Sequence, residues 1–394
     1  MKLLKPVVCY LVIITATLYW ASYQGVKLTD AVLNFDAKHY NTISQRGYEG
    51  YLQAFFPLFP YLWKTLGIGP IAICVVNGLI YLGALALLQK ELRATLKTFM
   101  YWLVIPSACF FWLPYSESIF FLSSTLLLIG TNRNDLRLSG IGLFLCTLSR
   151  PAFTVLIPAL LLTEVFHITT RSLFVKRMTV YMIIATIALA LVTIIQWMDT
   201  GEWFGFYHAQ AGWGNHLRMP TLPLTSWGGA PSVRLDAVAL LVGTSASVFL
   251  AWNIYKGQGK LLFPKELTLS LLYLGGISSF VLMMRGGELF SLNRFVFATP
   301  YFLVALHYLD PINIQRSRIT LLGLAFLIFF LFFGSYVHIQ TFIAYIIITV
   351  YLITVLLTFS QTSKPAIARY FILSLTLGLQ VYYFLRFLNG GWVA

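Results

Sequence analysis

Three stretches of this 394-residue chain carry side chains able to do chemistry. The first reads Leu33-Asn34-Phe35-Asp36-Ala37-Lys38-His39-Tyr40, followed by Ile43, Gly47-Tyr48 and Ala54-Phe55-Phe56-Pro57-Leu58-Phe59-Pro60. A helix over residues 31–44 would put Asp36, His39, Tyr40 and Ile43 on one face by i, i+3, i+4, i+7 spacing. That face holds a carboxylate, an imidazole and a phenol, which suits a general base with hydrogen-bonding neighbours. The plainer alternative is an amphipathic surface helix with solvated polar groups. The second stretch is discontinuous: Pro114-Tyr115-Ser116-Glu117-Ser118, Ser149-Arg150-Pro151, then Arg285, Glu288, Arg294 and Pro300. The third is Trp203-Phe204-Gly205-Phe206-Tyr207-His208-Ala209-Gln210-Ala211-Gly212-Trp213-Gly214. Rings such as Trp213 beside an amide such as Gln210 suit a sugar, whose C–H face stacks and whose hydroxyls bond to the amide. They equally suit an aromatic belt at lipid headgroups.

The elements that must position these residues are membrane helices. Hydrophobic residues make up 59% of the chain and charged residues 10%, and mean hydropathy is +0.80. A soluble globule averages about 45–50% apolar and about 25% charged, so this composition cannot cover a water-facing surface. Thirteen apolar runs fall near residues 6–24, 70–89, 98–114, 117–130, 138–149, 151–166, 178–198, 235–255, 267–284, 295–309, 318–337, 341–360 and 366–386. Four of them, at 117–130, 138–149, 151–166 and 295–309, are shorter than the roughly 20 residues of a perpendicular span. The fold expected is an all-α polytopic membrane protein, a single domain over 1–394 with about 11–13 transmembrane helices. The first run has no small-residue cleavage site before Gln24-Gly25-Val26-Lys27 and reads as a retained anchor. Four cysteines, Cys9, Cys74, Cys109 and Cys146, lie in apolar runs without CxxC spacing, which argues against disulfides or zinc.

The net charge of +14 reports orientation. With the N-terminus cytoplasmic, the inner loops hold Lys2, Lys5, Lys90, Arg93, Lys97, Arg133, Arg137, Arg171, Lys176, Arg177, Lys256, Lys260, Lys265, Arg316, Arg318, Lys364 and Arg369. Those are seventeen of the 27 basic residues; of the 13 acidic ones only Glu91, Asp135, Glu164, Glu266 and Asp310 lie with them. This is the positive-inside pattern, and nucleic acid is not needed to explain the excess. The outer loops 25–69 and 199–234 are long and aromatic, so the working face is external. An ionisable group at membrane depth is costly and is a functional candidate by default. For Glu117 and Arg150 the alternative is a buried pair that merely neutralises itself.

Absences narrow the chemistry. There is no P-loop, GxGxxG, HExxH, GxSxG or DxD carboxylate pair. A nucleotide-sugar donor held by a DxD-bound metal is therefore disfavoured. A lipid monophosphate leaving group could instead be met by arginine.

Taken together, Phe35-Asp36-Ala37-Lys38-His39-Tyr40, Gly47-Tyr48, Ala54-Phe55-Phe56-Pro57-Leu58-Phe59-Pro60, Tyr115-Ser116-Glu117-Ser118, Ser149-Arg150-Pro151, Gln210…Trp213-Gly214 and Asn293-Arg294-Phe295 with Pro300 resemble the PIG-V-like (GPI mannosyltransferase 2) family of GT-C glycosyltransferases. The blocks run in family order over roughly residues 30–300. Family members usually carry Trp before the Asp; this chain has Phe35, a ring for a ring. The last three apolar runs carry no matching motif. The resemblance implies a GT-C fold with an interfacial helix in the first outer loop. It also implies transfer of a hexose, mannose by family expectation, from a polyprenyl-phosphate donor to an extracytoplasmic hydroxyl with inversion. Asp36 would be the catalytic base. Arg294 and Arg150 would neutralise the leaving phosphate, while His39, Tyr40, Glu117, Gln210 and Trp213 would contact acceptor or sugar. No cofactor or metal is expected beyond the lipid-linked donor; the partners would be membrane lipids and a glycolipid, polymer or protein acceptor. The chain has no Asn-x-Ser/Thr sequon, which leans toward a bacterial plasma membrane, with the endoplasmic reticulum as the alternative. A polar-lipid transporter or flippase, or a non-catalytic assembly subunit, are the competing classes.

Overall fold

The computed structural model describes residues 3–168, 170–258, 261, 263–309, 316–360 and 366–393. Lys2, Lys260, Asp310 and Lys364 of the inner-loop tally lie outside them. The described residues form helices and no strand. Seven helices are long and apolar enough to span a bilayer: Leu4–Tyr23, Pro70–Leu92, Arg171–Thr200, Ala230–Lys256, Lys265–Met284, Ile339–Ser360 and Ala366–Leu388. Their surface is inverted relative to a soluble protein. Leu79, Ile183, Val248 and Ile347 are exposed, while Asn77, Glu117, Asp236 and Asn293 are fully buried. This is the pattern of a multi-pass membrane protein, in which lipid meets apolar side chains and polar groups turn inward.

The span count falls short of the thirteen apolar runs because several runs form helices too short to cross and proline breaks two of them. Run 98–114 is the Leu96–Leu103 helix followed by a 3₁₀ segment, Pro106–Trp112. That segment and the Glu117–Asn132 helix meet at 106°, so the pair is a broken span or re-entrant element. Counting it gives up to eight spans, against the 11–13 expected. Run 295–309 divides at Pro300 into Leu292–Phe297 and Pro300–Leu309. The Leu136–Ser149, Phe153–His167, Pro300–Leu309 and Arg318–Phe333 stretches are apolar but short.

Two devices let this broken architecture pack. Irregular backbone inside a membrane protein needs internal hydrogen-bond partners, and Asn77 supplies them, its Nδ2 donating to Leu113 O at 2.6 Å and Tyr115 O at 2.9 Å. The bend therefore presents Glu117 as the first residue of its helix. The Glu117–Asn132 and Leu136–Ser149 helices then pack backbone to backbone. A Cβ on Gly142 would sit 2.4 Å from Leu127 N, and one on Gly130 2.2 Å from Ser139 N. Small residues at a helix crossing permit this approach.

At the end that the charge count assigns to the cytoplasm, Glu164 gathers basic residues. Its Oε1 accepts from Arg177 at 2.9 Å and its Oε2 from Lys265 at 3.2 Å. At the other end the long loop 199–234 zips onto the segment after Met284. His216 N donates to Met284 O, Thr221 N to Gly286 O and Thr225 N to Gly287 O.

Candidate active site

Asp36 is set by an unusual backbone. The helix expected over 31–44 forms as two pieces, Leu28–Ala31 and Asp36–Arg46. The break occurs because Phe35 takes φ +55°, ψ −127°, a region costly for a side chain with a Cβ. Packing holds it there. The Phe35 ring sits edge-on to Trp392 at 4.8 Å and to Phe387 at 5.6 Å. Asn34 Nδ2 donates to Phe387 O at 2.9 Å, and the Tyr115 hydroxyl to Asn34 O at 3.4 Å. Asp36 thus opens its helix, where the helix dipole favours a carboxylate. The shared face is as the spacing predicts: Tyr40 and Ile43 are buried, while Asp36 and His39 are partly exposed.

From Asp36 an alternating chain of charge runs inward. Asp36 Oδ2 accepts from Arg294 Nη1 at 2.8 Å. Arg294 Nε donates to Glu117 Oε1 at 2.6 Å, and the same oxygen accepts from Arg150 Nη2 at 2.8 Å. Glu117 is wholly buried, Arg294 2% exposed and Arg150 4%. The guanidiniums also lie over rings, Arg294 over Tyr115 at 4.6 Å and Arg150 over Phe295 at 4.9 Å. The pair Glu117–Arg150 therefore exists, but as the inner half of a larger unit. Only the Asp36 side chain, 21% exposed, reaches the surface. Among the described residues Arg150 Nη1 and Glu117 Oε2 are sealed without a hydrogen-bond partner, and Arg150 bonds to the chain through Glu117.

Around this chain the helix face carries its other candidates. The Tyr40 hydroxyl meets Ser116 Oγ at 2.8 Å, and burial pushes its pKa up to about 12, so it stays a neutral hydroxyl. His39 lies among Phe55 at 5.1 Å, Tyr51 at 5.5 Å and Trp213 at 5.9 Å. Burial among these rings lowers its pKa below 6.5, outweighing the nearby Asp36 carboxylate. A neutral imidazole can both donate and accept. Trp213 thus joins the site through His39. Gln210 belongs elsewhere: its Oε1 accepts from Asn215 Nδ2 at 2.7 Å, and Asn215 Oδ1 accepts from Arg285 Nε at 2.9 Å. Arg285 stacks on the Phe290 ring at 3.7 Å, and burial brings its pKa down to about 10, still a cation at neutral pH.

The structure also brings in residues that spacing did not single out. Asp236 Oδ1 accepts from both the backbone N and the Nδ2 of Asn293, each at 2.8 Å. Its Oδ2 accepts from Ser226 Oγ at 2.5 Å. Asn293 Nδ2 also donates to Val393 O at 3.2 Å, and Ser107 Oγ to Asn293 Oδ1 at 3.1 Å. Asp236 therefore anchors the residue before Arg294. An acid inside the apolar run 235–255 was the sequence signal for it; Trp392 had none.

Among the described residues no group of three or more His, Cys, Asp and Glu side chains could hold a metal. No protein-family model, curated protein or solved structure matches this chain. The fold and its buried polar interior define an α-helical multi-pass membrane protein.

Proposed function

We propose that this protein is a GT-C-type membrane glycosyltransferase. It moves a hexose, mannose by the family expectation, from a polyprenyl-phosphate donor to an acceptor hydroxyl outside the cytoplasm, with inversion. The observation that carries the reading is the Asp36 carboxylate, the one exposed member of the buried chain Asp36–Arg294–Glu117–Arg150. A general base must be fixed, charged and reachable by the hydroxyl it deprotonates. Arg294 fixes Asp36, Glu117 holds Arg294, and Arg150 balances Glu117. In the orientation that the charge pattern favours, Asp36 lies in the first outer segment after the Leu4–Tyr23 span, where the resemblance implies the catalytic carboxylate.

In the step itself the acceptor O–H proton passes to Asp36 as the acceptor oxygen bonds to the anomeric carbon. The bond from that carbon to the phosphate oxygen breaks, and its electron pair leaves with polyprenyl phosphate. His39 would hydrogen-bond sugar or acceptor hydroxyls and Trp213 would stack, whereas the buried Tyr40 hydroxyl is engaged by Ser116 and would line the site from behind. Donor and acceptor meet at the outer face of a plasma membrane. The test is transfer of labelled hexose from a polyprenyl-phosphate hexose by purified protein, wild type against Asp36→Asn. Turnover by the variant at the wild-type rate refutes the base role.

A further inference from the structure

The arginines of the buried chain stand on the wrong side of the reaction to receive the phosphate. In an inverting displacement the base and the leaving group lie on opposite faces of the anomeric carbon. Arg294 touches the base itself at 2.8 Å and is 2% exposed. Arg150 is sealed behind Glu117. A different cation has to meet the leaving group, and a row of rings leads from Asp36 to one. Phe35, next to Asp36, packs edge-on to Trp392 at 4.8 Å. Trp392 lies 6.1 Å from Trp227, which stacks on Phe290 at 4.5 Å and 17°. The far face of the row ends at Arg285, 3.7 Å from the Phe290 centroid. Trp227 is half exposed, so the row has an open side.

Arg285 is built to hold an anion. Its Nε donates to Asn215 Oδ1 at 2.9 Å and its Nη1 to Phe290 O, which fixes the guanidinium plane. Among the described residues no carboxylate lies within 4.0 Å of it, whereas Arg150, Arg177 and Arg294 each have one. Among the described residues its Nη2 has no hydrogen-bond partner, and it is not one of the sealed polar atoms. Arg386 also lacks a carboxylate; its Nε donates to Trp392 O at 3.0 Å and its Nη2 to Gly228 O at 2.6 Å, pinning the row in place. A preorganised, half-buried guanidinium with a free N–H is the residue type that recognises phosphate.

We propose that Arg285 binds the phosphate of the lipid donor, a diester that leaves as the monoester polyprenyl phosphate, with the Trp392–Trp227–Phe290 row separating it from Asp36 and flooring the sugar between them. This rests on the transferase reading for its direction but makes its own binding claim. The experiment is calorimetric titration of full-length protein in detergent with farnesyl phosphate, farnesol and inorganic phosphate. Farnesyl phosphate should bind, with Arg285→Gln weakening it at least tenfold and leaving the response to farnesol unchanged. Arg285→Lys should recover part of the loss, and Asn215→Ala, which frees Nε while keeping the charge, should lose less than Arg285→Gln. Arg234→Gln, which removes another arginine of the same face, should bind as wild type. Inorganic phosphate binding that depends on Arg285 would assign the site to phosphate without the lipid and overturn the donor assignment. Unchanged affinity in Arg285→Gln, or an equal loss in Arg234→Gln, overturns the site. Arg285-dependent farnesyl phosphate binding without hexose transfer by the wild type would retain the phosphate site and remove the transferase reading. Transfer with an unaltered donor KM in Arg285→Gln would do the reverse.

Discussion

Asp36 and Arg294 are 258 residues apart in the chain and 2.8 Å apart in space. The contact closes the candidate site only when the segment after the Lys265–Met284 span docks on the segment after the Leu4–Tyr23 span. Everything that supports Arg294 therefore supports Asp36: Glu117 from the bend after Trp112, Arg150 from the proline break, and Asp236 through Asn293.

Glu117→Gln tests the inner half of this unit. It preserves shape but leaves Arg150 and Arg294 as buried cations with one fewer counter-charge. Removing one partner of a buried ion pair typically costs about 3–5 kcal/mol. The expected outcome is a large fall in the thermal midpoint of detergent-purified protein, followed by tryptophan fluorescence. An unchanged midpoint would show that Glu117 does not neutralise the two arginines.

Asp236→Ala tests the support of Arg294 from behind. It strips the acceptor from the backbone N and Nδ2 of Asn293, and a buried donor left unpaired costs about 1–3 kcal/mol. Transfer should fall through kcat, because the base loses its alignment, while donor KM changes little. A change confined to KM would place Asp236 in donor binding instead.

Which parts of this were legible beforehand follows from the kind of signal each residue leaves. Asp36, Glu117, Arg150 and Arg294 stand out as charges in an apolar chain, because burying a charge without purpose is costly. Their order of contact left no trace: Glu117 reaches Arg294 across 177 residues and Arg150 across 33. The helix face of Asp36, His39, Tyr40 and Ile43 followed from periodicity, but its start did not, since the positive φ of Phe35 is imposed by Trp392 and Phe387. Apolar runs were read as spans by length, yet Pro106 and Pro300 cut two of them, because proline lacks the N–H that continues a helix. The sugar role expected for Gln210 rests on its neighbouring rings and on the resemblance; in the structure its Oε1 accepts from Asn215 Nδ2.

Phe35 offers a test of backbone strain against packing. Phe35→Gly relieves the φ +55° conformation but removes the edge-on contacts with Trp392 and Phe387. Phe35→Trp keeps a ring. The glycine variant should loosen the Trp392 segment, seen as increased acrylamide quenching of tryptophan fluorescence, and should lower transfer more than the tryptophan variant. Equal activity in both would mean that the ring does not position Asp36.

His39 supplies a pH signature. Its folded-state pKa lies below 6.5 because burial among Phe55, Tyr51 and Trp213 disfavours the charged ring. Below pH 6.5 the unfolded chain binds this proton more readily than the folded one, so stability falls as pH drops through that value. Above it both states are neutral there and the contribution is flat. The acid-side loss in thermal midpoint should shrink in His39→Gln; an identical pH profile would remove His39 as its source.

The most direct measurement is single-turnover transfer of radiolabelled hexose from a polyprenyl-phosphate hexose by purified wild-type and Asp36→Asn protein, matched for thermal stability. The account predicts a labelled glycoside and released polyprenyl phosphate from the wild type, with transfer by the variant lowered at least 10²-fold, the lower end of a general base's typical contribution. Equal turnover by Asp36→Asn, or donor movement across proteoliposomes with no new glycosidic bond, would contradict it.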